Sequence, residues 1–218
     1  MIAVAVAGAA GRMGQSVCAA VEAADDMELV GRADPALGTT LADVLPIAEV
    51  VVDFTIPDTA LANALACLEA GVHIVIGTTG FDPEPLLTAR GANVFIAPNF
   101  AIGAVLMMKF AAEAARHMPA AEIIELHHPA KIDSPSGTAK RTAELMAAAS
   151  GGPEPIIHSV RLPGIVADQE VIFGDLAQTL TLRHATTSRD SFMPGVLLAI
   201  RKVGGLTQSP LVGLEHLL

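Results

Sequence analysis

The sequence predicts an α/β fold in two parts, a parallel sheet covered by helices on both sides and an α+β domain inserted near its C-terminal end. Three observations carry this. Short runs apolar on both faces alternate with helical stretches over the first hundred residues, which is the pattern of a buried parallel sheet. Between residues 156 and 184, three strand-like runs follow one another with no helix between them, so that sheet is antiparallel or mixed. A final helical stretch has no partner in this second region and returns to the first.

Taken in order, Ile2–Ala7 is an apolar strand ending in glycine, and a helix runs from about Arg12 to Ala24. Strands follow at Glu28–Arg32 and Glu49–Phe54; Asp58 then reads as the N-cap of a helix over Thr59–Ala70 that Gly71 closes. Val72–Ile76 and Asn93–Ile96 are two more strands. The second domain reads as a helix Ala104–His117, a strand Glu122–His127, a polar loop and a helix Gly137–Ser150. Strands Ile156–Arg161, Glu170–Phe173 and Gln178–Arg183 complete it, before the returning helix Pro194–Val203. The boundaries are therefore 1–103 plus 190–218 for the first domain and 104–189 for the second.

Composition excludes several functions. A chain that is 52% hydrophobic and 17% charged has the balance of a globular protein. With no Trp or Tyr and seven Phe, its core is aliphatic. A net charge of −10 disfavours a nucleic-acid or anionic-membrane partner, because both require a basic face. Cys18 and Cys67 stand in no metal-binding spacing and read as buried thiols, and no export signal is legible, so a cytoplasmic setting is expected.

Gly8-Ala9-Ala10-Gly11-Arg12-Met13-Gly14 follows the first strand and opens the first helix. Small residues there let backbone approach a pyrophosphate, and the helix start offers unpaired N–H groups. Asp34 stands twenty residues after Gly14, at the end of the second strand, where a ribose-binding carboxylate belongs. The first domain is thus a Rossmann-like dinucleotide-binding domain. An acid at that position favours NADH, whereas Arg12 and Arg32 could offset its charge, so NADH and NADPH both stay open. Gly77-Thr78-Thr79 and Ala97-Pro98-Asn99-Phe100 end later strands of the sheet and are expected at the nicotinamide half.

The segment from Glu125 to Ala139, ELHHPAKIDSPSGTA, concentrates the chemistry. His127 and His128 end a strand, so their side chains point to opposite faces. Lys131 lies in the loop beyond, and Ser136-Gly137-Thr138 starts a helix whose N–H groups and hydroxyls form an anion cradle. A proton-bearing imidazole, a lysine and a helix start fit a carboxylate substrate whose reduction needs protonation; a capped helix with hydrogen-bonded histidines fits the same residues. No metal is expected, since adjacent histidines reach one tetrahedral ion poorly.

This stretch resembles the dihydrodipicolinate reductases, the 4-hydroxy-tetrahydrodipicolinate reductases of bacterial lysine and diaminopimelate synthesis. GAAGRMG (8–14), GTTGF (77–81), APNF (97–100), HSVRLPG (158–164) and SFMPGVLLA (191–199) extend the resemblance over essentially the whole chain. It implies NADH- or NADPH-dependent reduction of a cyclic imine dicarboxylate, with His127 as general acid and Lys131 as a second proton donor or carboxylate binder. His128 would contact substrate, and Gly137 and Thr138 would hold a carboxylate. Gly8–Met13, Asp34, Gly77–Thr79 and Ala97–Phe100 would contact the dinucleotide. It also implies a homotetramer assembled through the second domain's sheet. Pro129-Ala130 stands where family members often carry further basic or imidazole residues.

Overall fold

A computed structural model of the chain describes residues 1–118 and 120–218. In chain order the elements are β1 (Ile2–Ala7), α1 (Arg12–Glu22), β2 (Met27–Ala33), α2 (Leu41–Val44), β3 (Val50–Asp53), α3 (Pro57–Glu69), β4 (His73–Ile76) and β5 (Val94–Ile96). They continue with α4 (Ile102–Ala115), β6 (Ala121–His127), α5 (Gly137–Ser150), β7 (Ile156–Arg161), β8 (Ala167–Asp175), β9 (Gln178–Thr186), α6 (Met193–Val203) and β10 (Leu211–Val212). The chain divides into two compact units, Met1–Phe100 with Phe192–Leu218, and Ala101–Ser191.

The first unit is a six-stranded sheet in the order β10-β5-β4-β3-β1-β2, with every pairing parallel. Its inner strands β1, β3, β4 and β5 are largely buried on both faces, which is why they read as unbroken apolar runs rather than alternating ones. Ala5, Val51 and Ile74 join Val44 of α2 and Ala64, Cys67 and Leu68 of α3 in one core. On the opposite face α1 packs against α6. Strand order reverses between β1 and β3, the switch point at which open parallel sheets bind ligands.

The second unit is a four-stranded sheet, β7-β6-β8-β9, parallel between β6 and β7 and antiparallel elsewhere. The alternating faces of β6 and β8 set its layers. Ile123, Val171 and Phe173 pack under α4 and α5, with Ala111, Ala115, Ala139, Ala143 and Met146. Ile124, Leu126 and Ile172, one residue out of phase, lie on the other face and are only half-buried.

Three local expectations need correction. The third helix begins at Pro57 with Ile56 as N-cap, so Asp58 sits within the first turn and is not the cap. Proline is favoured at that position because its missing N–H would be unpaired there anyway. β8 and β9 run longer than their apolar cores suggest, since the hairpin ladder extends through polar residues to Asp175 and Thr186. The short α2 and β10 were not anticipated. β10 is two residues long and exists because it pairs with Phe95 and Ile96. The two cysteines are free and buried, as the sequence predicts.

Candidate active site

The sheet of the first unit brings its ligand-facing loops to one edge through register. Ala7 lies beside Asp53, Asp53 beside Ile76, and Ile76 beside Ile96, so the chain leaves all four strands at one level. The next residues continue the ladder: Phe54 N donates to Ala7 O, Gly77 N to Asp53 O, and Ala97 N to Ile76 O. Gly8, Gly77 and Ala97, predicted from separate motifs, therefore emerge on the same edge.

At the β1 and β3 ends lies a cleft of about 840 Å³ lined by Gly8, Gly11, Asp34, Phe54, Thr55 and Thr59 among others. Its floor requires glycine. Gly8 has φ +77°, and a methyl group there would stand 2.6 Å from Phe54 O. Asp34 performs two tasks: Oδ2 accepts from Ala10 N at 3.0 Å, and Oδ1 accepts from Ala36 N at 2.9 Å. The carboxylate thus pins the glycine loop and also caps the turn at Pro35. Arg32 is turned to other work, pairing with Glu22 at 2.6 Å, while Arg12 is exposed at the start of α1.

Other predicted contacts are more deeply committed. Thr78 is buried, and its hydroxyl donates to Asp53 Oδ1 at 2.9 Å. Phe100 is buried between the rings of Phe54 and Phe95. Ala9 and Ala97 are also buried; Thr79 and Pro98 are exposed, and Met13 and Asn99 are intermediate. Asp53, which sequence reasoning passed over, is fully buried. Its carboxylate accepts from Thr55, Asn63 and Thr78, tying together the turns after β3 and β4.

The second unit gathers the segment around His127 on one carboxylate. Strand periodicity puts Ile123, Glu125 and His127 on the helix-covered face. Glu125, fully buried, accepts from His127 Nδ1 at 2.5 Å and from both terminal nitrogens of Arg161 at 2.8 and 2.9 Å. Arg161 also donates to Asp133 O at 2.9 Å, which fastens the loop carrying Lys131. Lys131 Nζ pairs with Asp133 Oδ1 at 2.8 Å. β6 ends at His127, so His128 lies just beyond the strand, where alternation no longer sets its direction, and it is exposed.

Charge balance follows from these contacts. Burial works to raise the Glu125 carboxyl, but Arg161, Ser159 and His127 hold it below the usual carboxylate range. Burial lowers the His127 imidazole from its ordinary value, helped by the Lys131 and Arg161 charges and opposed by Glu125.

The cradle at the α5 start differs in one respect from expectation. Ser136 is buried and spends its hydroxyl oxygen as the N-cap, accepting from Ala139 N at 3.2 Å. Its own N–H points to Glu125 Oε1 at 3.3 Å. Gly137 has open space where a side chain would be, and Thr138 is half-buried beside it, so these two residues front the helix start. A second buried chain supports this turn: Gln169 Nε2 donates to Thr142 Oγ1 at 2.7 Å, which donates to Thr138 O at 2.8 Å.

Sequence reasoning did not assign Glu125 or Arg161. A glutamate two residues before His127 on an inward strand face was a legible signal. Arg161 was not, because only the pairing of His127 with Arg161 in the β6–β7 register shows it. Among the described residues no group of three or more His, Cys, Asp or Glu side chains could hold a metal ion.

A glycine-floored cleft at the switch point of a parallel sheet is the arrangement of a dinucleotide-binding domain, and the relatives that the chain resembles are reductases, which makes it an oxidoreductase. The chain matches the family described as dihydrodipicolinate reductase, N-terminus, over residues 2–100, and dihydrodipicolinate reductase, C-terminus, over residues 103–218. A 4-hydroxy-tetrahydrodipicolinate reductase of Thermobifida fusca (strain YX) is 50% identical, the alignment covering 100% of this chain and 99% of that protein. One from Nocardia farcinica (strain IFM 10152) is 48% identical over 100% of this chain and 98% of its own length. The solved dihydrodipicolinate reductase of Paenisporosarcina sp. TG-14, with dipicolinate bound, superposes with a TM-score of 0.84 at 36% identity, covering 100% of both chains. The chain belongs to the dihydrodipicolinate reductase family.

Proposed function

We propose that the chain is a 4-hydroxy-tetrahydrodipicolinate reductase that uses NADH or NADPH and serves lysine biosynthesis through diaminopimelate in the cytoplasm. The observation that carries this reading is full-length similarity to reductases of that name, joined to a clustered histidine, lysine and helix start in the same chain. No helix among the described residues is long and apolar enough to cross a membrane.

The cleft residues fit a dinucleotide. Gly8 and Gly11 would leave room for a pyrophosphate at the α1 start, and Asp34, which lines the same cleft, would meet the ribose. Arg12, Met13, Gly77, Thr79 and Asn99 would complete its contacts, with Thr78 and Phe100 shaping the wall from behind. When bound, the reduced nicotinamide supplies the hydride. His127 gives the proton that completes reduction, and Lys131 and the Gly137–Thr138 turn neutralise the substrate carboxylates, beside the exposed His128.

The decisive measurement is loss of NADH or NADPH absorbance on adding freshly generated 4-hydroxy-tetrahydrodipicolinate. Turnover with neither would replace this reading with that of a non-catalytic dinucleotide sensor. NADH is expected to be the better donor, by about tenfold or more in kcat/KM. The Asp34 carboxylate opposes a 2′-phosphate, and about 1.4 kcal/mol of repulsion suffices for that ratio. Arg32 is paired with Glu22 and does not relieve it. Equal kcat/KM with both donors would overturn this preference.

The same reading includes a homotetramer. It is supported by the second unit's sheet, where α4 and α5 cover one face and Ile124, Leu126 and Ile172 stay half-buried on the other. Sedimentation velocity is expected to give four times the chain mass of 22.4 kDa. A monomer at micromolar concentration would refute the assembly.

A further inference from the structure

The choice of Glu125 as the buried carboxylate has consequences for the direction of proton transfer. A carboxylate removed from water is costly unless its charge and lone pairs are met. Here both oxygens face Arg161, one also meets His127 Nδ1, and the other meets Ser136 N. Because the guanidinium keeps Glu125 ionised, the carboxylate can only accept, so Nδ1 of His127 must carry a hydrogen. The neutral ring is then the Nδ1–H tautomer, and Nε2 is the nitrogen that gains and releases the second proton. The same carboxylate holds the lysine loop through Arg161 and Asp133 O, and the α5 cap through Ser136.

We propose that Glu125 is a positioning residue of this centre: it fixes the His127 tautomer so that Nε2 delivers the proton, and through Arg161 and Ser136 it sets the Lys131 loop and the helix start in register with that nitrogen. This rests on reading His127 as the general acid. The charged groups that face the imidazole are Glu125 on its own strand, Arg161 from β7, and Lys131 and Asp133 from the loop.

Two measurements test it. The first reads the tautomer without activity: two-bond nitrogen–proton correlation spectra of the wild-type chain labelled in its histidines, with His127→Gln to assign the signal. Hydrogen at Nδ1 in the neutral ring, with uptake at Nε2 on lowering the pH, is expected. A ring protonated at Nε2 when neutral overturns the proposal, whether or not His127 proves to be the acid.

The second is Glu125→Gln, which removes the negative charge and leaves Arg161 beside the ring. Its kcat is expected to fall by about 10²-fold with nucleotide affinity retained. The limb of kcat/KM that falls with rising pH should move to lower pH, because the protonated ring has lost its counter-charge. Glu125→Asp, which keeps the charge, should restore the limb toward its wild-type position. Lost activity with an unmoved limb in Glu125→Gln would make Glu125 a packing residue and overturn its role. If Glu125→Gln does not fold, the wild-type tautomer still decides.

Discussion

His127→Gln is expected to lower kcat by roughly 10²–10⁴-fold, the contribution of a positioned general acid, while the Kd for NADH stays at its wild-type value. Gln keeps a polar group of similar reach but has no titrating proton. His127 belongs to the second unit, whereas the glycine-floored cleft is built by residues of the first. The pH profile gives a sharper form of the same result. As an acid, His127 acts in its protonated form, so kcat/KM falls as pH rises through the free imidazole's pKa. Burial first, then Lys131 and Arg161, hold that value below the ordinary one. A bound dicarboxylate adds negative charge beside the ring and favours its protonated form. The limb in kcat should therefore lie at higher pH than the limb in kcat/KM, and His127→Gln should abolish both. Lys131→Ala, with turnover reduced by about 10²-fold, should retain the limb. Equal losses of activity and NADH affinity in His127→Gln would make it a cofactor or folding residue.

Gly14→Ala is expected to unmake the nucleotide cleft from beneath. Gly14 lies in the first turn of α1, and a methyl group there would collide with the Gly8 carbonyl oxygen. It would also approach the Gly8 carbonyl carbon to 2.7 Å and Ala9 Cα to 2.8 Å. All are backbone atoms, so no side chain can rotate away. Alanine gains about 1 kcal/mol of helix propensity over glycine, but overpacking against backbone costs about 3 kcal/mol or more, and the clash wins. A net loss of about 2 kcal/mol corresponds to a fall of roughly 4–8 °C in the melting temperature of a chain this size. Because α1 can relieve the contact only by lifting from β1, titration calorimetry should show NADH affinity reduced at least tenfold, about 1.4 kcal/mol. Wild-type melting and affinity would show that Gly14 is not a close-approach glycine.

Much of this arrangement was legible in the sequence where the cause is local. Gly137–Ser150 and Ile156–Arg161 match the expected bounds because a serine cap, a closing glycine and a β-rich run each act within a few residues. The loops around Gly8, Gly77 and Ala97 were placed on one edge by the rule that parallel strands share direction. What stayed hidden depends on register or on distant partners. Arg161 meets Glu125 only because β7 pairs with β6 in one alignment out of several possible, a one-residue slip of which would turn Arg161 to the other face. At Ser136 the sequence shows a serine at a helix start but not its partner: the hydroxyl oxygen accepts from the Ala139 N–H, 3.2 Å away, which leaves its own proton to donate.

The discontinuity of the first unit also bears on the order in which the chain is made. Residues 101–191 leave the ribosome before α6 and β10, which finish the first sheet. Until Leu211 and Val212 appear, β5 is an open edge with unpaired backbone groups, and the face that α6 covers is bare. The first unit therefore cannot complete its fold until β10 has emerged, whereas the second, continuous in sequence, can fold while the first is unfinished. Deleting α6 and β10 would then damage a sheet whose other strands lie far earlier in the chain, and late segments would govern the survival of early ones.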